Sequence, residues 1–202
     1  MWERGPCPHT HTYPMSRKSS PMPTDIDVPA LHRLVNGFTT RSAWRLETRR
    51  RYAGNETDPA YDQWRRGQKS QWDSTSPYAH AVRARADHGA TTERVRIIDD
   101  PPTESQRYLL AHAIGHAELL GETVLCLPRP QAERIALPAE DWWLFDTGLV
   151  AALRYNDGDR LLGASVITSP PHVARYTALR ALARTRAVPA RAYADATDPR
   201  RP

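Results

Sequence analysis

The strongest constraint on this chain is a break in backbone type between residues 93 and 121. Glu93-Arg94-Val95-Arg96-Ile97-Ile98 is rich in β-branched side chains and runs into Asp99-Asp100-Pro101-Pro102, through which no strand continues. Thr103 with Gln106 three residues later resembles a capping box. Beyond it Leu109, Leu110, Ala113, Ile114, Ala117 and Leu120 fall on one side of a helix that Gly121 ends. Val124-Leu125-Cys126-Leu127 is then a short apolar strand stopped by Pro128. A chain that alternates strand, helix and strand in this way must bury helices against a sheet.

The flanks extend the same pattern. Val28, Leu31, Leu34 and Val35 give a short helix closed by Asn36-Gly37. From Phe38 the period changes: Trp44, Leu46 and Thr48 alternate with Arg45, Glu47 and Arg49, as in a half-buried strand. Gly54-Asn55-Glu56 reads as a turn, and Asp58-Pro59 opens a helix through Trp64 that stops at Gly67. A further helix is expected from about Ser76 to His88. Trp142-Trp143-Leu144-Phe145 is a strand, and Leu149–Tyr155 and Leu161–Ile167 flank the hairpin signature Asn156-Asp157-Gly158-Asp159. Ser169-Pro170 caps a last helix in which Val173, Tyr176, Leu179 and Ala183 share a face. The expected architecture is a single α+β domain over residues 25–189, with a mixed, mostly antiparallel sheet and helices packed on it. Residues 1–24 and 190–202, rich in Pro or Ala and poor in aliphatic side chains, are expected as disordered tails.

Composition excludes several classes. No uncharged apolar run approaches the roughly 20 residues of a spanning helix, and no secretory leader pattern is seen. Cys7 and Cys126 are the only cysteines, too few for a disulfide scaffold or a four-cysteine zinc site, and a cytoplasmic setting is expected. Met1, Met15 and Met22 are alternative starts. The 202-residue chain carries a net charge of +5, with 26 Arg against 2 Lys among its 28 basic residues. That imbalance, beside abundant Ala and Pro, fits a GC-rich coding bias as well as it fits an anionic partner.

Four groups of residues carry chemistry. His112 and His116 stand four apart on the best helix, the spacing at which two imidazoles reach one metal, but the glutamate of a zinc-hydrolase motif is missing. They read as edge histidines, and neither a metal nor a cofactor is expected. Asp99-Asp100 offers an acidic pair, read more simply as a cap for the following helix. The segment 41–66, with Trp44, Arg45, Arg49, Arg50, Arg51, Tyr52, Tyr61, Trp64, Arg65 and Arg66, mixes aromatic and basic groups as nucleic-acid surfaces do; Glu47 turns its strand into a plus-minus-plus ladder. Trp142-Trp143-Leu144-Phe145-Asp146 is the densest aromatic cluster, with Trp142 and Leu144 on one face, Trp143 and Phe145 on the other, and Asp146 as a charged handle. No Gly-rich phosphate loop or nucleophile elbow occurs.

Ser42-Ala43-Trp44-Arg45-Leu46-Glu47, Tyr52, Tyr61 to Gly67, Arg94 to Ile98, Tyr108, Leu127-Pro128-Arg129, Trp142 to Asp146 and Ala187-Val188-Pro189 together resemble an uncharacterised actinobacterial family, a domain of unknown function. The segment from Gln106 to about Ala187 is also similar to the C-terminal effector region of helix-turn-helix regulators of the XRE type, including its Val173, Tyr176 and Leu179 pattern. Members of the first family are often encoded beside such regulators. The resemblance implies a non-enzymatic regulatory effector or partner-binding module acting with a helix-turn-helix protein, with a small ligand as a further partner. Trp44, Arg45, Glu47, Trp142, Trp143 and Asp146 are then the candidate binding residues, provided their two strands are neighbours. Two alternatives stay open: a phosphodiester- or nucleotide-directed enzyme using His112 or His116 near Arg96 and Asp100, and direct nucleic-acid binding through segment 41–66.

Overall fold

A computed structural model describes residues 22–37, 41–68, 74–146 and 148–197. Its centre is one eight-stranded sheet in the order β1-β7-β6-β5-β2-β3-β4-β8. The strands are β1 (Thr24–Asp27), β2 (Ser42–Glu47), β3 (Thr91–Ile98), β4 (Glu122–Pro128), β5 (Trp142–Phe145), β6 (Leu149–Tyr155), β7 (Leu161–Ile167) and β8 (Val188–Pro189). The helices are α1 (Val28–Gly37), α2 (Ala53–Glu56), α3 (Pro59–Arg65), α4 (Pro77–Asp87), α5 (Glu104–Leu120), α6 (Arg129–Arg134), α7 (Pro170–Arg184) and α8 (Ala190–Thr197). β2, β3 and β4 run parallel, and every other pairing is antiparallel, so the expected α+β class with a mixed, mostly antiparallel sheet holds. The parallel trio follows from its connections, since α2 to α4 carry the chain from β2 to β3 and α5 carries it from β3 to β4.

Local chemistry sets several of these boundaries. The Asp58 carboxylate accepts from Ala60 N at 2.9 Å at the start of α3. The capping box before α5 is complete: Gln106 N donates to Thr103 Oγ1 at 3.2 Å and Thr103 N donates to Gln106 Oε1 at 3.0 Å. Ser169 behaves otherwise than expected. Its side chain makes no cap bond to α7; its hydroxyl lies 3.1 Å from His172 Nδ1 instead.

The two sheet faces have different covers. Trp44, Leu46, Val95, Ile97, Leu127, Trp142, Leu144 and Val150 join Tyr176 and Ala183 of α7 in the main core. On the opposite face Ala43, Trp143, Phe145, Ala151 and Leu153 pack with Leu31 and Val35 of α1, and Ile98, Val124 and Cys126 pack with Leu110 of α5 and Tyr193 of α8.

Both terminal expectations need adjustment. Up to residue 21 the N-terminal tail lies outside the described residues, but Thr24 already opens β1, whose Asp25 and Ile26 pair with Ser165 and Ala164. The segment expected as a C-terminal tail begins with α8, in which Ala190 and Tyr193 are buried, and only its last five residues lie outside the described set. Two apolar anchors one turn apart suffice to hold so short a helix, and a composition count averages them away. β1 is held equally closely. Gly163 has φ +143°, and a Cβ there would stand 2.0 Å from the Ile26 carbonyl oxygen, so only glycine lets β1 approach.

Candidate functional site at the carboxyl end of the parallel strands

Side chains alternate along β2, so Trp44 and Leu46 enter the main core while Arg45 and Glu47 point beneath α4 and α5. β2 lies between β3 and β5, with Arg45 in register with Arg94 on one side and Trp143 on the other. The two candidate strands are therefore neighbours. They do not present six surface residues, however. Trp44 and Trp142 are fully buried with ring centroids 4.6 Å apart, and Trp143 is 3% exposed, stacked on Phe145 at 5.9 Å. Trp44 Nε1 donates to Glu93 Oε1 at 2.7 Å. Asp146 is exposed and accepts from Arg41 N at 2.9 Å, tying the end of β5 to the start of β2.

Below α4 and α5 the sheet buries a network of ions. Glu47 is clasped by two arginines: Arg94 Nη1 donates to Oε1 at 2.8 Å and Arg96 Nε to Oε2 at 2.5 Å. Arg94 Nε also donates to Glu122 Oε1 at 2.7 Å, which accepts in addition from the Tyr78 hydroxyl of α4 at 2.8 Å. Arg94 Nη2 donates to that hydroxyl, and Arg96 Nη1 donates to the Leu109 carbonyl of α5 at 2.6 Å. Burial alone would raise the Glu47 pKa, but Arg96, Arg94 and Arg45 overcome it and hold the carboxyl well below the usual range.

A second carboxylate closes the strand ends. Asp141, just before β5 and 1% exposed, accepts from Thr48 N at 2.7 Å, Thr48 Oγ1 at 2.9 Å, Tyr52 Oη at 2.7 Å and Tyr155 Oη at 3.3 Å. Burial raises its pKa against the opposing pull of Arg45 and these donors, and burial likewise raises both tyrosines. Further out Arg49 donates to Asp159 at the hairpin tip, and Arg129 Nε donates to Asp99 at 2.5 Å. Asp99 also accepts from Arg50 and from Gln106 in the first turn of α5. Against burial, the hydrogen bonds from Arg129 and Gln106 lower its pKa.

The other candidates lie around this cluster. His112 of α5 is half-buried with its ring 4.3 Å from Tyr108, and burial lowers its pKa. The His116 side chain lies outside the described residues. Asp100 is exposed in the bend after β3. Five of the seven arginines of segment 41–66 are paired with acids: Arg45 with Glu47, Arg49 with Asp159, Arg50 with Asp99, Arg51 with Glu56 and Arg65 with Glu104. Among the described residues no cluster of His, Cys, Asp and Glu could hold a metal ion. Cys126 is fully buried, and burial pushes its thiol up to about 12, so it is no nucleophile.

Glu122, Tyr78, Asp141 and Tyr155 were missed by sequence reasoning, and Tyr52 was singled out only within segment 41–66. One signal was available: Arg94 and Arg96 alternate with Val95 and Ile97, and a parallel strand is covered on both faces, so buried acids had to answer them.

The carboxyl ends of parallel strands, at the point where β2 is flanked by a parallel and an antiparallel neighbour, are where open α/β-type sheets hold ligands. Fold and cluster define a mixed-sheet α+β domain with a buried arginine–carboxylate–tyrosine cluster, a candidate site, beside those strand ends. Over residues 29–195 the chain belongs to the family described as Domain of unknown function (DUF6879). No curated protein matches it. Among the described residues no helix is long and apolar enough to cross a membrane.

Proposed function

We propose that this chain is a non-catalytic regulatory module that works by binding, with a helix-turn-helix regulator as its protein partner. The observation that carries this reading is the state of the charged groups at the strand ends. Glu47, Asp141 and Asp99 are each held by several donors from the protein itself, an arrangement that orders a fold and leaves little acceptor capacity for proton transfer. Arg45, the cation with unspent donors beside them, cannot act as an acid or base near neutrality, so its chemistry is recognition. The similarity of the second half to regulator effector regions supplies the class of partner.

Purification of a tagged copy from its native host at moderate salt, with nuclease treatment, tests the reading by mass spectrometry. Recovery of a helix-turn-helix protein is the expected result, and its absence from repeated purifications overturns the partner. The enzymatic alternative takes His112 or His116 as acid or base near Arg96 and Asp100; the His112 ring packs on Tyr108, and burial disfavours its charged form against the opposing pull of Asp58. The nucleic-acid alternative needs arginines open to phosphate, and the acid pairs of segment 41–66 weaken it. A mobility shift that appears at low salt and falls steeply as salt rises would restore it.

A further inference from the structure

Arg94 and Arg96 spend their guanidinium donors on Glu47, Glu122, Tyr78 and the Leu109 carbonyl. Arg45, one strand away and in register with Arg94, does not follow them. Its Nε is sealed from solvent and makes no hydrogen bond among the described residues. Glu47 Oε1 lies 3.3 Å from that Nε without a bonding angle, and Asp141 Oδ2 lies 3.8 Å from Nη2, beyond hydrogen-bond reach. The guanidinium carbon sits 5.4 Å from the centroid of the Trp143 ring, so the group is positioned by aromatic contact and charge rather than by bonds.

The surroundings define what such a group can recognise. The Arg45 side chain keeps 18% of its surface exposed, and the half-buried rings of Tyr52 and Tyr155, 6.0 Å apart, have their hydroxyls on Asp141 nearby. Charge in the cluster is balanced, with Arg45, Arg94 and Arg96 against Glu47, Glu122 and Asp141. A further carboxylate or phosphate would bring uncompensated negative charge beside Glu47 and Asp141. A neutral acceptor would not. The planar fork matches two acceptors side by side; the Arg49 guanidinium already lies 4.5 Å from the centroid of the Tyr155 ring, which leaves the Tyr52 ring to offer stacking area to a flat ligand.

We propose that Arg45 is the recognition group for a neutral heteroaromatic ring bearing two adjacent hydrogen-bond acceptors, the pattern that guanine presents through O6 and N7. The proposal rests on the binding-module reading above, since it takes Arg45 as a recognition group, but it does not depend on the identity of the protein partner.

Titration of the full chain with guanosine, adenosine and benzoate, followed by calorimetry, tests it. Adenosine replaces one acceptor by a donor, and benzoate keeps the paired acceptors but adds charge. Guanosine is expected to bind about tenfold or more tighter than either, the scale of one bidentate pair. Arg45→Lys keeps the charge near Glu47 and Asp141 but removes the fork, and it should lose that preference while its melting temperature stays close to that of the parent. If Arg45→Lys folds poorly, 7-deazaguanosine, which lacks the N7 acceptor, is titrated against the parent protein and should lose the same preference. Equal binding of guanosine and adenosine, tighter binding of benzoate, or no binding of guanosine at millimolar concentration overturns the proposal. Purification of the parent protein from the host, set beside its own guanosine titration, separates the two claims. A regulator recovered without guanosine binding sinks the ligand and leaves the module, whereas guanosine binding without a regulator does the reverse.

Discussion

The two faces of β2 and β3 solve one burial problem in opposite ways. Toward α7 the side chains of β2, β3 and β5 are Trp44, Leu46, Val95, Ile97, Trp142 and Leu144, and burial itself is favourable there. Toward α4 and α5 the alternate positions are Arg45, Glu47, Arg94 and Arg96, whose desolvation must be offset by Glu122, Tyr78, Asp141 and a helix carbonyl. An apolar face tolerates repacking. An ionic one is tied to a single arrangement, because each charge that loses its partner stays buried and uncompensated.

That contrast can be broken from either side. The largest loss is expected from Trp142→Ala, which empties a fully buried position between Trp44 and Tyr176 and should cost about 3–5 kcal/mol by urea unfolding. Arg96→Met should cost nearly as much, about 3 kcal/mol, since Glu47 would lose its shortest ion pair while remaining buried. Replacing Glu47, Arg94, Arg96 and Glu122 together by apolar residues should restore much of that loss, and a quadruple variant less stable than Arg96→Met would show that the network favours stability as well as specificity. Gly163→Ala should cost about 1–3 kcal/mol and raise proteolysis at β1, because the new Cβ collides with the Ile26 carbonyl. At the small end Arg65→Ala should change stability by less than about 1 kcal/mol, its pair with Glu104 being exposed on both sides.

pH sharpens the comparison. Glu47 and Asp99 have folded-state pKa values below their unfolded ones, so their contribution is present above about pH 4.3 and is lost as pH falls through the lower folded values. Asp141 is shifted the other way: its contribution is present below about pH 3.9 and is lost as pH rises through its raised folded value. Urea midpoints between pH 3 and 6 should therefore fall on acidification less steeply in Glu47→Gln than in the parent. Equal slopes would place the acid sensitivity outside the network.

The alternation of Trp44 and Leu46 with Arg45 and Glu47, the Asp-Asp-Pro-Pro stop, the capping box and the hairpin are local signals, and each is found where the residues indicate. What stayed hidden is non-local. Nothing near Asp141 announces that it will receive Thr48, Tyr52 and Tyr155, because those donors come from the segment after β2 and from β6. Alternation puts the six candidate binding residues on opposite faces of β2 and β5, but which of them are buried depends on α1 and α7, which are distant in sequence. Trp143 is near the cluster only as the platform beneath Arg45, and Trp44 and Trp142 belong to the other face.

The two edges of the sheet are closed by the earliest and the latest strands, β1 and β8. Asp25 of β1 meets Ser165 of β7 across 140 residues of chain. During synthesis β1 must wait for almost the whole domain before it finds a neighbour, and β4 keeps an open flank until Val188 and Pro189 arrive. Such long-range closure is slow compared with helix formation and leaves pairing edges uncovered meanwhile. The sheet acquires its borders last, so yield in a cell should depend on how long those unfinished edges are kept from one another.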